Sequence, residues 1–318
     1  NAGMQGLAGP PRAVDVERWL RTQPGYEAAR IDDLRPVDGG ASNITCRLEL
    51  RDAPVANAAL RIQRGRGIFE PYDVLREGEV LRRLAASPVP VPRVLLDERD
   101  PVALGAPFLL LEWIDAPHMG EAGPHADFGA YVQMVAAIHA LDWRALGLDV
   151  LGVPATPREA VAGELDLVAA RMPTFGCDDD PALVAALGTL RAAVPDDGEL
   201  RFCQGDINVF NYLFREGKVV GVVDWEQARI GDARSDIGQL VTLAHLKGAP
   251  FGPAEAQPFA QAYAAVSGRP LANLGYFRAL WAFELAVIYH GWVAFNGSEP
   301  WFTRDEVYGL LQASLADL

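Results

Sequence analysis

The chain has 318 residues, of which 50% are hydrophobic and 22% charged, a composition typical of a globular protein with two lobes. Its formal net charge of −14 argues against nucleic acid and anionic membranes as partners, because both require a basic surface. No stretch is long and apolar enough to predict a transmembrane helix, and we find no signal-peptide pattern, so we expect a cytoplasmic protein.

The first third of the chain predicts a small antiparallel sheet with one helix packed on it. A short amphipathic helix is expected over residues 14–23, and three strands follow over 34–37, 44–50 and 58–62. The next helix, residues 72–86, is indicated by Val74, Leu81 and Leu84 at helical spacing, and three prolines follow it. Two further strands are expected over 94–96 and 108–113.

The remainder of the chain predicts mainly helices. They are expected over residues 128–141, 158–171, 181–194, 253–266 and 273–295, with a two-strand hairpin over 212–214 and 219–223. We therefore predict a bilobal α+β fold. Residues 1–115 form a β-rich N-lobe, residues 116–318 form a helical C-lobe, and the linker falls near 112–116.

The strongest motif is Gln204-Gly205-Asp206-Ile207-Asn208-Val209-Phe210-Asn211, followed by Val222-Val223-Asp224-Trp225-Glu226. The hairpin between the two segments returns Asp224 to the loop that carries Asp206 and Asn211. Phosphoryl transfer needs a carboxylate to orient the acceptor hydroxyl and take its proton, and a carboxylate and an amide oxygen to hold Mg²⁺. A single Asp or Asn in a loop is usually a turn residue, but three at this spacing favour a site.

These segments, with Gly231-Asp232 and Asp236 after them, resemble the aminoglycoside phosphotransferase family, whose members are related to protein kinases. The closest similarity is to the branch related to kinase domains fused to acyl-CoA dehydrogenases. The resemblance implies a protein-kinase-like fold, ATP or GTP as phosphoryl donor, and a small molecule with a hydroxyl group as acceptor. It also implies that Asp206 is the catalytic base and that Asn211 and Asp224 bind Mg²⁺.

The segment from Asp38 to Ile44 looks like the nucleotide loop of that family. Gly39 and Gly40 would let the backbone approach a triphosphate, with Ser42 and Asn43 as hydrogen-bond donors. A pair of glycines between two strands can also be only a tight turn.

A kinase also needs a cation on its third strand, held by an acid on the following helix. The only lysines are Lys218 and Lys247, so Arg61 is the candidate cation, and Glu77 is its expected partner because it shares a helix face with the apolar stripe. Alternatively, Arg61 is a solvated strand residue and Glu77 pairs along its own helix. Glu112 and Ile114 in the linker are nominated for the nucleotide base on resemblance alone.

The family usually has His at the position of Gln204, which we expect to orient the loop by hydrogen bonding. Glutamine can donate and accept but cannot carry a charge. A non-catalytic nucleotide-binding regulator therefore stays open as an alternative, as does a metal-dependent hydrolase. Asp236 is expected to accept hydrogen bonds from amides of the loop, and Asp232 is either a helix N-cap or functional.

The acceptor is the least determined feature. Trp281, Glu284 and Tyr289 are candidates to line its pocket, although a helix so apolar is normally core. Such a pocket could hold an amino sugar, a macrolide or a hydroxylated acyl group. Because the sequence shows no group of carboxylates for a polycation, we rank a metabolic or natural-product kinase above an aminoglycoside kinase.

Overall fold

The structure, a computed structural model, describes residues 7–37, 42–122 and 127–318. The chain divides into two compact units, Asn1–Asp115 and Ala116–Leu318. The nucleotide-loop glycines Gly39 and Gly40 lie outside the described residues.

The first unit is built on a five-stranded antiparallel sheet with the strand order β1-β2-β3-β5-β4. Its elements are α1 (Ala13–Leu20), β1 (Arg30–Pro36), β2 (Ile44–Arg51), β3 (Asn57–Ile62), α2 (Val74–Leu84), β4 (Val94–Glu98) and β5 (Phe108–Glu112). Buried and half-buried residues alternate along β2 because successive side chains point to opposite faces of the sheet. Helix α2 begins at Asp73, whose side chain accepts a hydrogen bond from the N–H of Arg76.

The second unit is mainly helical, with two small two-stranded sheets. Its helices are α3 (Met119–Ala122), α4 (Phe128–Ala140), α5 (Pro157–Phe175), α6 (Pro181–Ala192), α7 (Ala233–Leu243), α8 (Pro253–Ser267), α9 (Leu274–Asn296) and α10 (Arg304–Ala316). Its strands are β6 (Leu200–Cys203), β7 (Tyr212–Arg215), β8 (Lys218–Val222) and β9 (Arg229–Asp232). Strand β6 pairs with β9, and β7 forms a hairpin with β8.

The predicted fold class is confirmed, but the sequence analysis missed several elements of the second unit. Helix α7 is buried on every side from Ala233 to Thr242, so its polar residues Ser235, Asp236 and Gln239 face the interior and the helix has no solvated face. Strands β6 and β9 have only four residues each. Helix α10 did carry a signal, because Thr303 and Glu306 form a capping box at its start.

Within the described ranges, no helix combines the length and apolarity needed to cross a membrane. The most apolar long helix, α9, carries the buried acid Glu284 among its core residues and packs against α7 and α10.

Gly238 allows α7 and α9 to approach closely. A Cβ atom at this position would lie 2.7 Å from Cβ of Phe277 and 2.9 Å from its carbonyl oxygen.

We expect Gly238→Ala to destabilise the protein by about 1–3 kcal/mol, because the helices would have to move apart. Gly188→Ala is the matched control. Gly188 lies on an exposed face of α6, and a Cβ atom placed there would have no neighbouring atom within 4 Å. The substitution should raise the free energy of unfolding by roughly 0.5–1 kcal/mol. Urea unfolding midpoints measure both, and equal midpoints would contradict the close-approach argument.

Candidate functional site

The loop 204–211, here called the catalytic loop after the role that the sequence predicts for Asp206, leaves the buried end of β6 and closes in a short 3-10 turn, Val209–Asn211. It brings Asp206 and Asn211 together. The amide nitrogen Nδ2 of Asn211 donates to the carbonyl oxygen and to carboxylate oxygen Oδ2 of Asp206, each at 3.0 Å. Both hydrogen bonds use Nδ2, so the amide oxygen of Asn211 is the atom left for a cation.

Asp224 lies next to these residues because the hairpin β7–β8 returns to the catalytic loop. The N–H of Val223 donates to the carbonyl of Asn211 at 2.9 Å, which places the following residue beside Asn211. Asp224 has a left-handed backbone with φ of 61°. Burial raises the pKa of Asp206 to about 6, and the negative charge of Asp224 contributes to the increase.

Gln204 connects the catalytic loop to the residue that precedes Asp224. Its Nε2 donates to the carbonyl of Val223 at 3.0 Å, and its Oε1 accepts from the hydroxyl of Tyr212 at 2.6 Å. Gln204 and Tyr212 are fully buried, so the hydrogen bond between them does not compete with water. A neutral amide therefore holds the backbone that carries Asp224.

Asp236, in the first turns of α7, holds the start of the catalytic loop. Its Oδ2 accepts from the N–H of Gln204 at 3.0 Å, and its Oδ1 accepts from that of Gly205 at 3.3 Å. Nε2 of His139 lies 3.1 Å from Oδ2, and the guanidinium of Arg229 lies 3.6 Å from Oδ1. Burial alone would raise the pKa of Asp236, but the His139 hydrogen bond and the Arg229 charge lower it below its usual value. Asp232, four residues earlier, is the N-cap of α7.

Sequence reasoning missed two residues that contact the catalytic loop. Gln239 in α7 donates from Nε2 to Oδ1 of Asp206 at 2.8 Å and accepts from the N–H of Ile207 at 2.9 Å. The hydroxyl of Tyr131 in α4 donates to the carbonyl of Ile207 at 2.5 Å. No motif marked either residue, and α7 itself was not predicted.

The oxygen atoms of Asn211 and Asp224 suit Mg²⁺, which prefers carboxylate and amide oxygens and retains several waters. A second group of metal-ligating side chains in the described ranges consists of His139, Cys203 and Asp236, whose ligand atoms lie within 4.8 Å of one another. Both nitrogens of His139 already have partners, Tyr263 and Asp236. Burial raises the pKa of Cys203 well above its usual value, which disfavours the thiolate. We therefore interpret this group as a hydrogen-bonding network.

In the first unit the structure brings Arg61 and Glu77 together. Nε of Arg61 donates to Oε2 of Glu77 at 2.5 Å, and Nη1 donates to Oγ1 of Thr45 on the neighbouring strand at 3.0 Å. Arg61 is 8% exposed and Glu77 1%. The alternatives of a solvated Arg61 and of a Glu77 that pairs only along its own helix are therefore wrong.

The other nominated residues of the first unit have structural contacts. The side chain of Asn43 is buried, and its Oδ1 accepts from the N–H of Arg64, while the carbonyl of Ser42 accepts from the Arg64 guanidinium. Glu112 forms an ion pair with Arg93 at 3.1 Å, and its N–H donates to the Arg93 carbonyl. Ile114 follows β5 and is half-buried.

The three residues nominated for the acceptor all lie in the buried part of α9. Glu284 pairs with Arg171 of α5 at 3.4 Å, and the hydroxyl of Tyr289 donates to Glu299 at 2.5 Å. Trp281 is 5% exposed. These contacts favour a packing role for Trp281, Glu284 and Tyr289.

Comparison with known proteins identifies a distant relative among the acyl-CoA dehydrogenase proteins. The chain is 27% identical to acyl-CoA dehydrogenase family member 10 of Mus musculus over 236 residues, which cover 70% of this chain and 21% of that protein. The chain thus spans about a fifth of that relative's length, and the relative confirms the resemblance to the branch related to acyl-CoA dehydrogenases.

Solved structures show the same fold at low identity. A thermostable mutant of aminoglycoside phosphotransferase APH(4)-Ia superposes with a TM-score of 0.70 at 17% identity, over 95% of this chain and 98% of that one. The same enzyme in ternary complex with AMP-PNP and hygromycin B gives 0.65 at 18% identity, over 96% and 98%. Macrolide 2′-phosphotransferase type I gives 0.62 at 17% identity, over 96% and 97%.

The model of the phosphotransferase enzyme family matches residues 33–274, about three quarters of the chain, including the catalytic loop, Asp224 and Asp236. With the protein-kinase-like fold of its structural neighbours, this match shows that the chain belongs to the phosphotransferase enzyme family.

Proposed function

We propose that the protein is a small-molecule kinase that transfers the γ-phosphoryl group of ATP or GTP to a hydroxyl group. The observation that carries the proposal is the arrangement of Asp206, Asn211 and Asp224. The amide nitrogen of Asn211 holds the carboxylate of Asp206, and the amide oxygen of Asn211 is left for a cation. The complex of APH(4)-Ia with AMP-PNP and hygromycin B supports a nucleotide donor and a hydroxylated acceptor.

In this proposal Asp206 orients the acceptor hydroxyl and takes its proton as the new O–P bond forms. The bond between the γ-phosphorus and the β,γ-bridging oxygen breaks in the same step and releases ADP or GDP. Hydrogen bonds from Asn211 and Gln239 fix both oxygens of the carboxylate before a substrate arrives. Catalysis then depends mainly on positioning and on neutralising charge, since the transition state of phosphoryl transfer is loose.

Asn211 and Asp224 would hold Mg²⁺, which neutralises charge on the phosphates when bound. Arg61 would contact the α- and β-phosphates, and Glu77 would fix its orientation. The planar Arg61 guanidinium carries five N–H donors, a geometry that suits phosphate oxygens. A kinase supplied with ATP or GTP is expected to work in the cytoplasm.

A nucleotide-binding regulator without turnover is the second candidate, because Gln204 replaces the histidine usual in the family. The contact of Gln204 with the Val223 carbonyl weakens this alternative. The amide makes a hydrogen bond of the kind expected of an orienting residue at this position, and it does so without a charge.

We further propose an acceptor other than a polycationic aminoglycoside. Two acids of the second unit that could attract a cationic substrate, Glu284 and Asp180, already have partners. Glu284 is paired with Arg171, and Asp180 accepts from Tyr308 and lies 3.3 Å from Arg304. A hydroxylated metabolite or natural product fits these paired acids better.

Replacing the base tests the reaction. We expect Asp206→Ala to lower phosphoryl transfer from MgATP or MgGTP by roughly two or more orders of magnitude, the usual contribution of a general base. Transfer to water and to a panel of hydroxylated metabolites and antibiotics provides the assay. The exposed Asp179→Ala is the matched control and should keep wild-type rates. If Asp206→Ala turned over within a few-fold of wild type, the assigned role would be wrong.

Asp224 is tested by thermal unfolding with and without Mg²⁺. A nucleotide at a hundred times its Kd should stabilise the native protein by about 2.7 kcal/mol, which raises Tm measurably. We expect the Mg²⁺-dependent part of this rise to disappear in Asp224→Ala. A wild-type protein with no Tm change in either nucleotide would contradict the nucleotide site.

The Arg61–Glu77 pair allows structure and binding to be separated. Arg61→Met alone leaves Glu77 charged and buried, and should destabilise the protein by about 3–5 kcal/mol. The double variant Arg61→Met/Glu77→Leu removes both charges and should recover most of that stability. Its affinity for MgAMP-PNP should nevertheless stay roughly ten- to a hundred-fold weaker than that of the wild-type protein, because it lacks the charge-assisted hydrogen bonds from Arg61 to phosphate. Urea unfolding and calorimetric titration measure the two effects. Wild-type affinity in the double variant would exclude Arg61 as a phosphate ligand.

A further inference from the structure

Gln239 reaches the catalytic loop at two points, although it lies outside the motifs of the site. It occupies the second turn of α7 and is 5% exposed. Its Oε1 accepts from the N–H of Ile207 at 2.9 Å, and its Nε2 donates to Oδ1 of Asp206 at 2.8 Å. One side chain therefore binds both the carboxylate of Asp206 and the peptide that follows it.

The orientation of the Gln239 amide is fixed by its partners. A backbone N–H can only donate, so the oxygen of Gln239 must face Ile207. The nitrogen then faces Asp206, and oxygen Oδ1 of that carboxylate must accept. The amide cannot reverse without losing both hydrogen bonds, so Gln239 favours one rotamer of Asp206.

The remaining donors to Asp206 make Gln239 the main anchor of Oδ1. The N–H of Asn208 reaches Oδ1 at 3.3 Å, a long hydrogen bond, whereas Asn211 binds the other oxygen, Oδ2. Among the residues that the structure describes, the long contact from Asn208 is the hydrogen bond that Oδ1 would keep without Gln239. Helix α7 is buried throughout and packs closely on α9, so Gln239 ties Asp206 to a rigid element rather than to its own loop.

We propose that Gln239 is a positioning residue, which sets the orientation of the Asp206 carboxylate toward the acceptor hydroxyl. This inference rests on the proposed kinase function. It predicts a selective effect, because Asn211 and Asp224 are held by other contacts: the Val223–Asn211 backbone hydrogen bond and the side chain of Gln204. Loss of Gln239 should therefore slow the chemical step and leave nucleotide binding intact.

Two substitutions separate the two contacts of Gln239. Gln239→Glu keeps an oxygen for the N–H of Ile207 but replaces the donor to Asp206 with a second negative charge. Gln239→Leu removes both hydrogen bonds with little change in volume. We expect kcat for phosphoryl transfer from MgATP or MgGTP to water to fall roughly ten- to a hundred-fold in both, as a misplaced catalytic group does. The Kd for MgAMP-PNP should stay within about two-fold of the wild-type value, since none of the residues proposed to bind the nucleotide is moved.

Thr242→Val is the matched control. Thr242 lies in the same buried helix, and its hydroxyl donates to the carbonyl of Arg278 at 3.3 Å, away from the catalytic loop. It should lower Tm as a lost buried hydrogen bond does, with kcat unchanged. A fall in kcat that merely followed Tm across all three variants would overturn the positioning role.

A double-mutant cycle gives the decisive readout. If Gln239 acts through Asp206, then Gln239→Leu should have no further effect on kcat in the Asp206→Ala background. An equal loss in both backgrounds would overturn the inference. A wild-type kcat in Gln239→Leu, together with an inactive Asp206→Ala, would also overturn the inference about Gln239. The proposed kinase function would survive that result. Wild-type turnover in Asp206→Ala would instead reject the kinase mechanism and this inference with it.

Discussion

The second unit depends on one buried charge, the carboxylate of Asp236. Moving a carboxylate out of water costs several kcal/mol unless partners surround it, so the fold must supply them. Four partners from three parts of the fold surround it: two backbone amides of the catalytic loop, the imidazole of His139 in α4, and the guanidinium of Arg229 in β9. The requirement to satisfy Asp236 therefore joins helices, a strand and the catalytic loop into one arrangement, and the site inherits its geometry from that arrangement.

Both units use the same physical device, a polar group buried with its partner before any ligand binds. In the first unit Glu77 fixes Arg61, and in the second Asn211 and Gln239 fix Asp206. Because these groups are already desolvated and oriented, little reorganisation is needed when charge develops on a substrate. The cost appears as the raised pKa of Asp206, which comes mainly from burial of its carboxylate and in part from the negative charge of Asp224.

The sequence predicted those features that leave a pattern along the chain. Helical spacing placed Glu77 opposite Arg61, and the motif spacing placed Asp206, Asn211 and Asp224 together. Gln239 was missed because a glutamine in a helix normally faces solvent, whereas α7 is buried on every side and turns Gln239 toward the catalytic loop. The contacts of Asn43 also could not be foreseen, since its side chain binds a backbone N–H that only the fold brings near.

The use of arginine in β3 affects how this protein can be detected chemically. The first lysine of the chain is Lys218, so no lysine amine occurs within residues 1–115. A guanidinium stays protonated under ordinary conditions and is a poor nucleophile, whereas a lysine amine can lose its proton and be acylated. Nucleotide reagents that work by acylating amines would find no side chain to modify in that unit, however tightly they bound. A proteome-wide survey built on such reagents would leave this part of the chain unlabelled.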